Sequence, residues 1–251
     1  MKKNVLVIFV LLTMFGAFSK VQALILCEKP WEVRHREYNN FGNKRVFVFS
    51  PSRTGSTLTF NVLRFLFDTP SKRCIKLHDL YYRLDNEIVF VSVRNPIDSA
   101  CSVYRVDEKG HEIDEERILA ISNMLIKQFR DCLFLLRNFK SVYLLEYEKD
   151  IKHIPNLLRK IEMYLGLKID YRDKQYIQET FSKKKVLKFI QEAQYKHFLE
   201  HNYVDHIHGN HILTPENDIL EEIYPIIIEK FKENFSKEHQ LFEQFGYKFN
   251  E

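Results

Sequence analysis

The stretch Val46-Phe-Val-Phe-Ser-Pro-Ser-Arg-Thr-Gly-Ser-Thr-Leu58 constrains the fold more than any other part of the chain. Val46 to Phe49 is a β-branched and aromatic run that reads as a buried strand, and Pro51, with no N–H to give a sheet ladder, ends it. Beyond it, Leu58, Val62, Leu63, Phe65, Leu66 and Phe67 recur at helical spacing, so a short loop opens a helix. Strand, small-residue loop and helix N-terminus together form an anion site. Unpaired N–H groups and the positive end of the helix dipole face the loop, Gly55 admits close backbone approach, Ser56 and Thr57 add hydroxyls, and Arg53 adds charge. A phosphate is the natural occupant; a plain strand-to-helix turn with a capping Ser or Thr is the alternative. The loop is not a complete Walker A motif, because Ser50 and Ser56 stand where that motif has its first glycine and its lysine.

The rest of the chain repeats the alternation of strand and helix. Lys72 to His78 reads as a second strand, Glu87 to Val93 as a third of the continuous apolar kind that is covered on both faces, and Ser141 to Tyr147 as a fourth. Arg94 closes the third strand, Asn95 caps and Pro96 starts a helix. Between the third and fourth strands, Asp114 to Asn138 carries one helical stripe of Ile118, Ile121, Leu125, Phe129, Cys132, Leu133 and Leu136. Pro155 to Leu165 is a further helix stopped by Gly166, and the chain beyond Tyr171 reads as helical, notably Ser182 to Glu200 and Pro215 to Phe235. This pattern predicts an α/β fold: a three-layer sandwich with a mostly parallel central sheet, a P-loop-like strand-loop-helix and a helical C-terminal part. Ligands then bind beyond the carboxyl ends of the strands. With 251 residues, 45% of them hydrophobic, the chain can bury the core of one such domain.

Residues 1–23 stand apart. Lys2-Lys3 precede an apolar run from Val5 to Phe18, too short to span a bilayer comfortably, and Val21-Gln22-Ala23 resembles a cleavage site. The expectation is a secretory signal peptide followed by one domain over 24–251, with export to a periplasm, lumen or exterior. An uncleaved N-terminal membrane anchor is the alternative, since Leu24 to Leu26 prolong the apolar character. The formal net charge is +4, and Lys2, Lys3 and Lys20 fall in this leader, so the remainder is nearly balanced and gives no support for nucleic-acid binding. Cys27, Cys74, Cys101 and Cys132 form no CxxC pair, and their pairing is open at this level; Cys101 and Cys132 fall at helical, partly buried positions that suit free thiols.

A parallel sheet gathers Arg53, Thr54, Gly55, Ser56 and Thr57, the strand-end residues Lys76 and His78, Arg94 and Tyr147 at one crevice. A nucleotide kinase places an Asp at the end of the third strand to hold Mg²⁺. Here Val93 is followed by Arg94, and a second cation in the crevice suggests a second phosphate without a metal. Ser102, nearly two helical turns beyond Pro96, can face back towards Arg94 so that the two hold one anion. In the plainer reading Asp98 pairs with a cation and Ser102 is a small packing residue.

Three separated blocks, spread over about two-thirds of the chain, resemble the sulfotransferases that use 3′-phosphoadenosine-5′-phosphosulfate (PAPS). Ser52-Arg-Thr-Gly-Ser-Thr-Leu58 resembles their 5′-phosphosulfate loop. Arg94-Asn-Pro-Ile-Asp98 through Ser102-Val-Tyr-Arg105 resembles their 3′-phosphate motif, and Leu145-Glu-Tyr-Glu148 with Ile161 to Gly166 resembles their Tyr-Glu-Asp strand end and following helix. The resemblance implies that Arg53 offsets charge on the transferring sulfuryl group and leaving phosphate. It also implies that the Thr54 to Thr57 loop holds the 5′-phosphate, that Arg94 and Ser102 hold the 3′-phosphate, and that Tyr147 approaches the adenine. Lys76-Leu-His78 resembles the Lys-Thr-His of the cytosolic branch, whose His is the general base; a neutral imidazole suits that role.

Some features depart from the pattern. The usual proline is displaced to Pro51, Leu58 replaces an aromatic residue, and the C-terminal basic glycine loop appears only as His206 to Pro215. That stretch has no Arg or Lys, although Gly209 offers a backbone N–H. Its three histidines lack a carboxylate or Cys at ligand spacing, so no metal is expected. The implied activity is transfer of a sulfuryl group from PAPS to an acceptor hydroxyl by in-line displacement. Residues 105–115 and 183–211, with Lys183 to Lys185, suit a polar or anionic glycan acceptor. The alternatives are a P-loop nucleotide kinase and a catalytically inactive nucleotide-binding relative.

Overall fold

The computed structural model describes residues 44–67, 74–80, 84, 87–107, 113–186 and 224–249, all within the compact unit Val33–Glu251. Strands β1 (Val46–Phe49), β2 (Cys74–Leu77), β3 (Ile88–Val93) and β4 (Val142–Glu146) form an all-parallel sheet in the order β2-β1-β3-β4. Val46 pairs with Cys74 on one side and Ile88 on the other, and Val89 pairs with Val142. All of β1 and β3 is buried. Covered on both faces, these two strands keep no polar alternation, hence the unbroken Val and Phe runs.

Helices α1 (Ser56–Phe67), α2 (Pro96–Asp107), α3 (Glu115–Asn138), α4 (Ile154–Leu165), α5 (Tyr171–Thr180), α6 (Tyr224–Ser236) and α7 (His239–Glu243) flank the sheet. On one face, Phe47, Phe49, Val89, Val91 and Val93 share a core with Cys101 and Tyr104 of α2, Leu125 and Phe129 of α3, and Phe231 of α6. On the other, α1 packs on β1 and β2 and α4 on β4, where Tyr143 lies 5.5 Å from Phe90 and stacks at 4.9 Å on Tyr164. The result is an α/β sandwich of three layers. Because β2 and β3 lie on opposite sides of β1, the direction of winding reverses there, and the loop after β1 sits at that switch point.

Helix α3 is the long wall behind the crevice. Asp114 caps it by accepting the Arg117 N–H, Glu115 and Glu116 sit at its positive end and Arg137 at its negative end. Its Phe129 meets Phe242, Phe245 and Tyr247 edge to face at 5.1, 5.3 and 6.5 Å, so the segment around α7 braces its middle. Gly166, at φ 61°, closes α4 where only a residue free of a Cβ is unstrained.

Two boundaries differ from expectation. β4 stops at Glu146, and Tyr147 opens a π-helical turn, Tyr147–Ile151, because the Glu146 N–H turns to Asp150 Oδ2 and the Lys152 N–H to the Tyr147 carbonyl. α6 starts at Tyr224; the rest of the helices expected from Ser182 and from Pro215 lies outside the described residues, as do residues 1–43, Lys72, Arg73 and 108–112. Cys74, Cys101 and Cys132 are all buried. Among the described residues no helix is long and apolar enough to cross a membrane.

Candidate functional site

The loop after β1 is held by its own side chains and by three neighbouring elements. The Ser50 N–H donates to the Leu77 carbonyl at 3.2 Å, continuing the parallel pairing one residue past β1, and Pro51 ends it. Arg53 takes φ 63°, the left-handed region that a residue with a Cβ normally avoids, and Gly55 takes φ 80°. The Thr54 hydroxyl donates to the Pro51 carbonyl at 2.9 Å, and with its only proton so used it accepts from Ser92 Oγ of β3 at 3.1 Å. Thr54 is fully buried and its hydroxyl is engaged within the fold rather than offered to a ligand. Ser56, also buried, opens α1, and the Gly55 carbonyl accepts the Thr59 N–H.

Tyr147 lies against this loop from the other side. A Cβ on Gly55 would stand 2.7 Å from Tyr147 Cδ2 and 2.8 Å from Ile151 Cγ2, so glycine is required there by space as well as by φ. The same ring carries the Arg94 guanidinium 4.7 Å from its centre. Arg94, its side chain 24% exposed, also meets Asp98 at 3.6 Å, while its Nε is buried without a partner. Gly55, Tyr147 and Arg94 are therefore consecutive neighbours, and the ends of β1, β3 and β4 open on one place.

Arg53 reaches α2. Its Nε donates to Ser102 Oγ of α2 at 2.9 Å. The sequence set Ser102 and Arg94 around one anion; in the structure the Ser102 hydroxyl accepts from Arg53, keeps its own proton to donate, and ties the loop after β1 to α2. That helix starts as expected, with Asn95 Oδ1 accepting the Ile97 N–H.

β2 supplies the remaining groups. Lys76 Nζ donates to Thr57 Oγ1 at 2.9 Å, and burial, with the nearby charge of Arg53, lowers its pKa to about 8. His78, just beyond β2, bonds through Nδ1 to the Ser50 carbonyl at 2.9 Å. A carbonyl can only accept, so the proton is on Nδ1 and the Nε2 lone pair is open to take another. Burial and the Lys76 charge push the imidazole below its ordinary 6.5, leaving it neutral at pH 7. The site thus holds crowded cations and a neutral base, an arrangement that an incoming polyanion relieves.

Two groups here had no role assigned to them from the sequence. Glu148 accepts from the Asn95 N–H at 2.8 Å and from the Tyr247 hydroxyl at 3.2 Å, joining the start of α2 to the segment after α7. Ser92 was visible only as one hydroxyl in an apolar strand. Gly209 and the histidines around it lie outside the described residues. Among the described residues no three His, Cys, Asp or Glu side chains are grouped to hold a metal.

No family model matches the chain, and no curated protein matches it by sequence. Among solved structures, mouse sulfotransferase SULT7A1 complexed with PAP is similar over 77% of this chain and 84% of its own, at 16% identity and a TM-score of 0.48.

Proposed function

We propose that the protein transfers a sulfuryl group from PAPS to an acceptor hydroxyl, with a polar or anionic glycan as the acceptor class. The observation that carries this reading is the Tyr147 ring, which touches Gly55 on one side and supports Arg94 on the other. It makes one continuous site of two positive pockets, as a nucleotide with phosphates at both its 5′ and 3′ positions requires. The end of β3 presents Arg94 where a Mg²⁺-dependent kinase would carry a carboxylate, which favours sulfuryl over phosphoryl transfer.

In this scheme the acceptor oxygen attacks sulfur in line as its proton passes to His78 Nε2. The bond between sulfur and the bridging oxygen breaks, and the electron pair leaves with the 5′-phosphate of 3′,5′-bisphosphoadenosine. Arg53 and Lys76, beside Gly55 and Thr57, offset the charge that grows on that leaving group. Arg94 grips the 3′-phosphate with the guanidinium edge that Tyr147 leaves uncovered. The leader places the enzyme in an exported or N-terminally anchored form, which N-terminal sequencing of the secreted chain checks.

The test is calorimetric titration with bisphosphoadenosine, ATP and ADP, followed by radiolabelled transfer from PAPS to glycan, phenol and peptide panels. Preferential binding of bisphosphoadenosine and label in a hydroxyl acceptor support the reading. Mg²⁺-dependent ATP turnover replaces it with a kinase, and tight binding without transfer to any acceptor replaces it with an inactive relative.

A further inference from the structure

A buried amide on the long helix, remote in sequence from the loop after β1, is bonded to that loop. Gln128 is only 4% exposed, on the interior side of α3 between Leu125 and Phe129, where the surrounding positions are apolar. A buried polar side chain at such a position is costly unless it is bonded. Gln128 Oε1 accepts the Ser52 N–H at 2.9 Å, a contact across 76 residues of sequence. Ser52 directly precedes Arg53, whose φ of 63° persists only if its surroundings fix it. The adjacent Lys127 bonds to Asp79 at 2.9 Å, and Asp79 directly follows His78. One turn of α3 thereby touches both the loop bearing Arg53 and the loop bearing the base.

We infer that Gln128 is a positioning residue that holds the Ser50 to Gly55 loop in its anion-binding form by anchoring the Ser52 peptide. The inference rests on the proposed donor site for its functional consequence, but the loop anchorage itself is independent of what binds. Gln128 touches no reacting atom. Removing its oxygen orphans the Ser52 N–H and lets the peptide before Arg53 turn, so the loop loses order before the fold does.

Amide hydrogen exchange across residues 50–57 of the ligand-free protein, together with bisphosphoadenosine titration, tests this. Gln128→Met keeps the length and removes the acceptor; Gln128→Asn withdraws it by one carbon and serves if the Met variant does not fold. Either is expected to speed exchange of the loop amides about tenfold and weaken bisphosphoadenosine about tenfold, the size of one lost buried hydrogen bond. Gln128→Glu, which retains an acceptor oxygen, keeps the loop protected. Cys132→Ala, a cavity in the same helix away from the loop, lowers the melting temperature without selectively exposing the loop. Unchanged loop exchange in a folded Gln128→Met or Gln128→Asn protein, or equal loosening by Cys132→Ala, overturns the inference. If the unmodified protein does not bind bisphosphoadenosine, the donor assignment fails, while the exchange comparison still decides the role of Gln128.

Discussion

The guanidinium of Arg94 rests 4.7 Å above the centre of the Tyr147 ring, with Nε buried and unpaired. The aromatic face does not neutralise the cation, and Asp98, 3.6 Å from Nη2, is an exposed partner that an anion can displace. Arg94→Ala is expected to weaken bisphosphoadenosine by tenfold or more with a smaller effect on kcat, about the loss of a charge-assisted bond. Tyr147→Phe keeps the ring and changes affinity little; Tyr147→Ala lowers it about tenfold. Calorimetric Kd values for the three variants check this, and equal loss in Tyr147→Phe and Tyr147→Ala would refute a supporting role for the ring.

Arg53 is expected to divide differently. In the proposed scheme Arg53 serves the leaving group, so Arg53→Ala is expected to cut kcat by about a hundredfold and donor binding less, because the charge matters most as the phosphate leaves. Steady-state kinetics with varied PAPS separate the two, and a pure KM effect would move Arg53 out of the catalytic role.

Gly55 and Gly166 offer a matched comparison. Both have positive φ, but a Cβ at Gly55 meets Tyr147 and Ile151 whereas one at Gly166 meets nothing within 4 Å. Gly166→Ala should cost about 1–2 kcal/mol from backbone strain alone. Gly55→Ala adds the steric overlap, lowers the melting temperature further and abolishes bisphosphoadenosine binding. Similar melting temperatures for the two would mean that Tyr147 yields easily.

Lys76 sets a pH dependence. A bound phosphate favours the ammonium, so the pKa of about 8 in the empty site rises in the complex. Affinity is then full below pH 8 and falls as pH climbs past it, when the free site must take up a proton to bind. Titrations from pH 6.5 to about 9.5 read this slope; in Lys76→Arg, which stays charged throughout, it should vanish.

His78 governs the acid side. Its pKa lies below 6.5, so activity should hold down to that pH and fall beneath it as the imidazole gains its second proton. His78→Ala is expected to lower kcat by about 10²–10⁴ while leaving bisphosphoadenosine affinity nearly unchanged. A pH–rate profile still falling between pH 7 and 8 on its acid side would point to another base.

What could be read from the sequence was the part encoded locally. The apolar run of β1, the Asn95-Pro96 start of α2, the capped length of α3 and the Gly166 stop all depend on neighbours within a turn or two, and each appears where the residues put it. Thr54, by contrast, was legible only as a member of the loop, because its partner Ser92 is 38 positions away. Likewise Ser102 accepts from Arg53, 49 positions away, and Gln128 accepts from Ser52, 76 positions away. Side-chain periodicity reports which face of an element is covered. It carries no record of which distant polar group arrives there. The π turn escaped for a related reason: the Asp150 carboxylate competes with the ladder for the Glu146 N–H, and that choice is made only once the strand is in place.

The bracing of α3 by Phe242, Phe245 and Tyr247 has a consequence for how the protein matures. Synthesis proceeds from the N-terminus, so the glycine loop and its helix leave the ribosome long before the aromatic rings that steady Phe129, next to Gln128. A nascent chain can assemble its strands early yet lack the rings that pack against the helix bearing Gln128. On the proposed donor-site reading, the grip of the loop is therefore completed only after those rings have emerged.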